Sequence, residues 1–197
     1  MRPMEAARPS AVTPNAGTPN AGTPSAVLPG PVRQNGYVVR DLHAAIEGWL
    51  AAGIGPWLLL PHLTQTGSIY RGEVTEPVVS IAFANSGDLQ LELIEQENDS
   101  PSIYREFLDA GRDGFHHLAW WVEDFAAVDR AATDAGWPVV HRGDTGGMAQ
   151  FAYYDQGGVT STVIEVMELT DATRWMVGKV REAARTWDGS DPVRNLV

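Results

Sequence analysis

Four side chains in this 197-residue sequence are placed where their types could do joint chemistry: Gln34, Glu92, His117 and Glu165. Gln34 and His117 open two stretches that match position for position, QNGYVVRD and HLAWWVED, while Glu92 and Glu165 are each the second residue of LELIE and IEVME. A buried carboxylate without a partner is costly, and two facing one cavity repel each other unless a cation sits between them. Together the four supply three oxygens and one nitrogen, a donor set that suits a divalent ion of intermediate hardness with positions left for water or substrate. Taken singly, each is an ordinary strand residue: the acids could lie on a solvated face and Gln34 could be a surface amide. Their matched placement in two halves of the chain is what joins them.

The elements that must hold these residues follow from periodicity. From Thr13, TPNAGTPNAGTPSA is a proline- and glycine-rich repeat with little to bury, so residues 1–30 are expected to form a disordered tail. Beyond it, VRQNGYVV reads as a strand and DLHAAIEGWLAAG as a helix capped by Asp41 and stopped by Gly53. WLLLPHL, PVVSIAFANS and LQLELIEQ are three more strands, the last two joined by a turn at Gly87 and Asp88. SPSIYREFLDAG is a connecting helix with Ser100 as N-cap and Pro101 in first position. The order then repeats as strand FHHLAWWV, helix DFAAVDRAATDAG capped by Asp124, and strands near WPVVH, MAQFAYYD and STVIEVME.

This is an α+β pattern of two βαβββ modules, over 31–98 and 114–169, with a helical connector over 99–113 and a C-terminal helix and tail over 170–197. A duplication explains the match. Side chains alternate along a strand, so His117, Ala119 and Trp121 share one face, while His116, Leu118, Trp120 and Val122 share the face that packs under a helix. The same rule groups Gln34 with Gly36 and Val38, Gln90 with Glu92, and Val163 with Glu165 and Met167, away from the helices. Trp121, Val38 and Tyr153 are expected to wall a pocket there. His62 and His141, in loop-like contexts, are expected to be exposed.

The stretches QNGYVVRDLHAA, LQLELIE, GFHHLAWWVEDF and YYDQGGVTSTVIEV resemble the vicinal oxygen chelate superfamily, over roughly Val32 to Glu168. The resemblance implies paired modules that curl into an open, barrel-like mixed sheet, with metal ligands on the first and last strands of each module. Gln34, Glu92, His117 and Glu165 fall on those ligand places, a set like that of glyoxalase I. Two departures stand out: DQGGVTSTVIE inserts residues before Glu165, and Trp121 takes a place that is often small.

One divalent metal ion is therefore the expected cofactor. Such an ion binds a substrate carbonyl and stabilises the enolate formed when the neighbouring carbon loses a proton. A carboxylate beside that carbon, Glu165 or Glu92, takes the proton and returns it elsewhere, a contribution of about 100- to 10,000-fold. The expected activity is a metal-dependent isomerase or epimerase acting on a small molecule, apolar if Trp121 faces it: a polycyclic ketone or an acyl thioester. An extradiol-type dioxygenase and a metal-free binding or resistance protein are the alternatives.

Composition excludes other classes. A net charge of −11 disfavours nucleic acid and anionic membranes as partners. With no cysteine there are no disulfides or thiolate ligands. No apolar run is long enough to span a bilayer, and MRPMEAARPS lacks the apolar segment of a secretion signal, so a cytoplasmic protein is expected. By analogy with paired-module proteins, a homodimer is expected.

Overall fold

The computed structural model describes residues 26–155 and 162–197; most of the low-complexity repeat, in residues 1–25, and residues 156–161 lie outside it. The first half runs β1 (Gln34–Val38), α1 (Leu42–Ala51), β2 (Trp57–Thr64), the short β3 (Ser68–Tyr70) and β4 (Glu73–Thr75), then β5 (Val78–Ser86) and β6 (Leu89–Gln96). After α2 (Ile103–Asp109), the second half runs β7 (Gly114–Val122), α3 (Phe125–Asp134), β8 (Val139–Asp144), β9 (Gln150–Asp155) and β10 (Val163–Glu168). The chain finishes with α4 (Asp171–Arg185) and β11 (Val193–Asn195).

Local chemistry sets these boundaries. Asp41 and Asp124 cap α1 and α3, each carboxylate accepting from a backbone N–H three residues on at 2.9 Å. Gly53 takes a left-handed φ of 85°, open to glycine without strain, just past α1. The connector starts later than expected, because Ser102 rather than Ser100 is the N-cap and accepts from Arg105 N at 2.9 Å. Ser100 pins the preceding turn instead, its carbonyl accepting from Gln96 Nε2 at 2.7 Å.

The strands form one open sheet in the order β11-β2-β5-β6-β1-β7-β10-β9-β8-β3-β4. Each module contributes four strands in mirrored order, its first and last strands lying parallel (β1 beside β6, β7 beside β10), and the antiparallel β1–β7 pair is the seam. The β3–β4 hairpin was not expected. It belongs to the first half in sequence but pairs with β8 of the second. Only Gln65, Thr66 and Gly67 link β2 to β3, although seven strands separate them in the sheet. A flat sheet with a strand spacing of about 4.8 Å would put them nearly 40 Å apart, whereas three residues bridge at most about 15 Å. The sheet must therefore bend until its two halves face each other.

The helices divide between the two faces. On the outside, Leu42 and Ile46 of α1 pack on Ala82, Leu91 and Leu93, and Phe125 and Val128 of α3 pack on Ala152, Tyr154 and Val166. On the inside, Tyr104 and Phe107 of α2 and Val180 of α4 join Phe83, Ile94, Phe151 and Tyr153 in a third cluster. Val27 and Leu28 pack beside α3 and the Gly30 carbonyl accepts from Trp120 Nε1, so packed chain begins before residue 31. Among the described residues, no helix is long and apolar enough to cross a membrane.

Candidate metal centre

Three of the four singled-out residues meet inside the bend. Glu92 on β6 pairs across with Gly36 of β1, and Gly36 with His117 of β7. Glu165 on β10 pairs with Ala119, the next residue on the same face of β7. His117 Nε2 lies 3.1 Å from Glu165 Oε2 and 3.4 Å from Glu92 Oε2, and the ligand atoms of all three lie within 4.8 Å of one another. All three residues are buried, and neither Nε2 of His117 nor Oε2 of Glu92 makes a hydrogen bond.

The electrostatics ask for a cation. Burial pushes the Glu92 carboxyl up; the His117 contact opposes this and the charge of Glu165 adds to it. Burial alone would strip the proton from His117, but the carboxylates of Glu165 and Glu92 outweigh it and hold its pKa up at about 9. One imidazolium is a partial answer to two buried acids. A divalent ion answers both, and one nitrogen with carboxylate oxygens suits it.

Gln34 stands beside this group, buried on β1 in the row of Ala119 and Glu165. Its Nε2 donates to Gln90 Oε1 at 2.8 Å, which leaves Gln34 Oε1 without a partner.

The site opens into a small cavity of about 50 Å³. Its walls are mainly apolar, with Leu60, Ile81 and Phe83 on one side and Phe151 and Met167 on the other, while Met148 and Met176 of α4 border it. Glu92 and Glu165 are on the lining, and so are Gln65, Tyr104 and Tyr153, linked by hydrogen bonds to Tyr104 of 3.3 and 3.2 Å. Tyr153 thus lines the cavity. The other two expected wall residues do not: Val38 is packed in the core, and Trp121, half-buried beside Met167, stays off the lining.

Two expectations about histidines fail. Strand alternation put His116 on the face opposite His117, but β7 carries a bulge: Gly36 pairs with His117 and Tyr37 with Phe115, leaving His116 as the extra residue. Both rings therefore turn inward, with Nδ1 atoms 3.0 Å apart. His141 is not exposed in a loop; it is fully buried on β8, ringed by Tyr70, Tyr104, Phe151 and Tyr153. Burial depresses its pKa to about 4 and neither ring nitrogen has a hydrogen-bond partner. His62 is exposed as expected.

A sequence model of the glyoxalase/bleomycin resistance protein/dioxygenase superfamily matches residues 33–154. The chain belongs to this superfamily. Among solved structures, a hypothetical protein from Bacillus halodurans is similar at 18% identity and TM-score 0.54, the match covering 72% of this chain and 95% of that one. Methylmalonyl-CoA epimerase from Mycobacterium tuberculosis is similar at 19% identity and TM-score 0.52, covering 79% of this chain and 97% of that one. Sequence comparison with curated proteins finds no match. The superfamily match stops before Glu165 and α4, so the last acid of the triad and the helix bordering the cavity rest on the geometry of this chain.

Sequence reasoning missed three contributors to the site. Gly36 gives His117 room to lie across β1, since a Cβ there would stand 1.8 Å from the ring's Cε1. Gln90 holds the amide of Gln34, and α4 supplies Met176 to the cavity. The available signal for Gly36 was a glycine inside an otherwise good strand, which marks a close approach.

Proposed function

We propose that this protein is a metal-dependent isomerase or epimerase that moves a proton next to a carbonyl group of an apolar small molecule. Its support is a single feature: a buried Glu92–His117–Glu165 group, in which His117 Nε2 and Glu92 Oε2 lack hydrogen-bond partners, at the wall of a mainly apolar cavity. These three would hold one divalent ion, with Gln34 Oε1 as the fourth donor. Bound there, the ion supplies Lewis-acid polarisation of the carbonyl oxygen and so makes the adjacent C–H more acidic.

The chain's own residues do the rest. A carboxylate oxygen of Glu165 or Glu92 takes the proton from that carbon and returns it. The walls of Ile81, Phe83 and Phe151 exclude water, which strengthens each polar contact within. Burial keeps the hydroxyls of Tyr104 and Tyr153 protonated; Tyr104 donates to Tyr153, whose own O–H is left for a substrate oxygen. An acyl thioester or a polycyclic ketone fits such walls.

An extradiol-type dioxygenase would place two histidines and a carboxylate around iron. His116, the nearest second histidine, turns its Nδ1 toward His117, which favours the isomerase. We also take the working unit to be a homodimer, which sedimentation reads directly. The decisive experiment measures the metal content of the purified protein, then follows exchange of the carbon-bound proton for deuterium on a panel of acyl thioesters and cyclic ketones. Exchange should need the ion and return on its addition; undiminished exchange by metal-stripped protein would overturn the proposal.

A further inference from the structure

Adjacent histidines in a regular strand point to opposite faces, and here the bulge in β7 turns both inward. The contact that results is short: His116 Nδ1 lies 3.0 Å from His117 Nδ1. Two N–H groups facing each other would clash and two lone pairs would repel, so this contact holds one proton. Building on the metal-binding proposal above, we propose that His116 is a positioning residue, which accepts a hydrogen bond from His117 Nδ1–H and thereby aims the His117 Nε2 lone pair at Glu92 and Glu165.

The direction follows from coordination. A histidine that binds a metal through Nε2 carries its proton on Nδ1, and the partner of that proton fixes the tautomer and the ring's orientation. His117 therefore donates and His116 accepts. The proton of His116 then belongs on Nε2, on the side of the ring away from His117, where Ile103 borders the same cleft. Ile103 is the first residue of α2. Packing holds the relay in place: the His116 ring meets Phe107 edge-on at 5.0 Å and lies among Tyr104 and Tyr153, with centroids at 6.2 and 6.0 Å. Below it, Gly36 lets the His117 ring rest on the β1 backbone. The connecting helix thus braces the candidate metal centre through the packing of Tyr104 and Phe107 against the His116 imidazole.

The test compares His116→Phe, which keeps a planar ring without an acceptor, with His116→Asn, whose side-chain oxygen can take the place of Nδ1. Affinity for Co²⁺ and Zn²⁺ is measured by competition with a chromophoric chelator, and folding by near-ultraviolet circular dichroism. Loss of such a partner weakens metal binding by about 10- to 100-fold. His116→Phe should show that loss and His116→Asn should recover most of it. In the unaltered Zn²⁺-loaded protein, nitrogen-15 NMR should find the Nδ1–H tautomer at His117 and the Nε2–H tautomer at His116. This second measurement decides the matter if His116→Phe fails to fold. Equal affinity in folded His116→Phe, or the opposite tautomers, would overturn the role of His116 while leaving the metal site standing; an unaltered protein that binds neither ion would sink both.

Discussion

Replacing Gly36 with alanine should dismantle the proposed metal centre without dismantling the fold. An added Cβ would stand 1.8 Å from Cε1 of His117, 2.1 Å from Nε2 and 2.4 Å from Nδ1, whereas ordinary contacts begin at 3.4 Å. The imidazole must therefore retreat by about 1.6 Å, the difference between 3.4 and 1.8. Metal–ligand distances tolerate only about 0.2 Å, so a bound ion would lose its nitrogen donor. Affinity for Co²⁺ or Zn²⁺ should fall by more than about 100-fold, beyond the loss expected for an outer partner. The β1 backbone itself accepts alanine, since Gly36 has no left-handed φ. Gly48→Ala serves as control: it sits on the exposed face of helix α1 with open space around it, and should keep full affinity while gaining about 1 kcal/mol of stability. Chelator competition for metal, with a thermal melt of each variant, reads both effects. If folded Gly36→Ala binds metal as tightly as the unaltered protein, the cradle has no bearing on His117.

Three further outcomes are expected. Metal binding must displace the proton that Glu165 and Glu92 hold on His117, so affinity should rise up to tenfold per pH unit toward about pH 9 and then level. Calorimetry at pH 7.5 in buffers of different ionisation enthalpy should find about one proton released; zero release would contradict the assignment of His117. Glu165→Gln keeps the side chain's size but removes a charge that the His117 proton depends on. It should lower both the His117 pKa, read by NMR in metal-free protein, and metal affinity, and an unmoved histidine signal would refute the coupling. Met176→Ala should leave metal affinity unchanged while raising KM for an apolar substrate about fivefold, the equivalent of about 1 kcal/mol of lost apolar contact; an unchanged KM would mean that α4 does not touch the substrate.

What could be seen in the sequence was what repeats or alternates. The two modules, the Asp41 and Asp124 caps and the inward faces of β6 and β10 follow from local pattern, and they suffice to bring Glu92 and Glu165 to one cavity. Period-two reasoning failed where the period was interrupted. The extra residue at His116 reverses the parity of β7 on one side of the bulge, and nothing in FHHLAWWV says where the interruption falls. His141 was misplaced for another reason: its neighbours Pro138, Arg142 and Gly143 suggest a loop, but β3 arrives from the other half of the chain to make it interior. Such long-range pairings leave no local trace. The part of α4 in the cavity wall was equally hidden, since α4 comes after both modules and reads only as an amphipathic helix.

The crossing hairpin limits how this molecule can breathe. Because β3 leaves the end of β2 and is laid against β8, the two modules are stitched at two places, the β1–β7 seam and this one. A clamshell motion about the seam would have to tear the second stitch, which leaves side-chain movement as the cheaper way for the interior to change shape. Met148, 38% exposed, reaches the cavity lining, as does the unbranched, flexible Met176. Two pliable sulfur-bearing chains on the lining can then adjust to what the cavity holds while Glu92, His117 and Glu165, on paired strands, stay fixed.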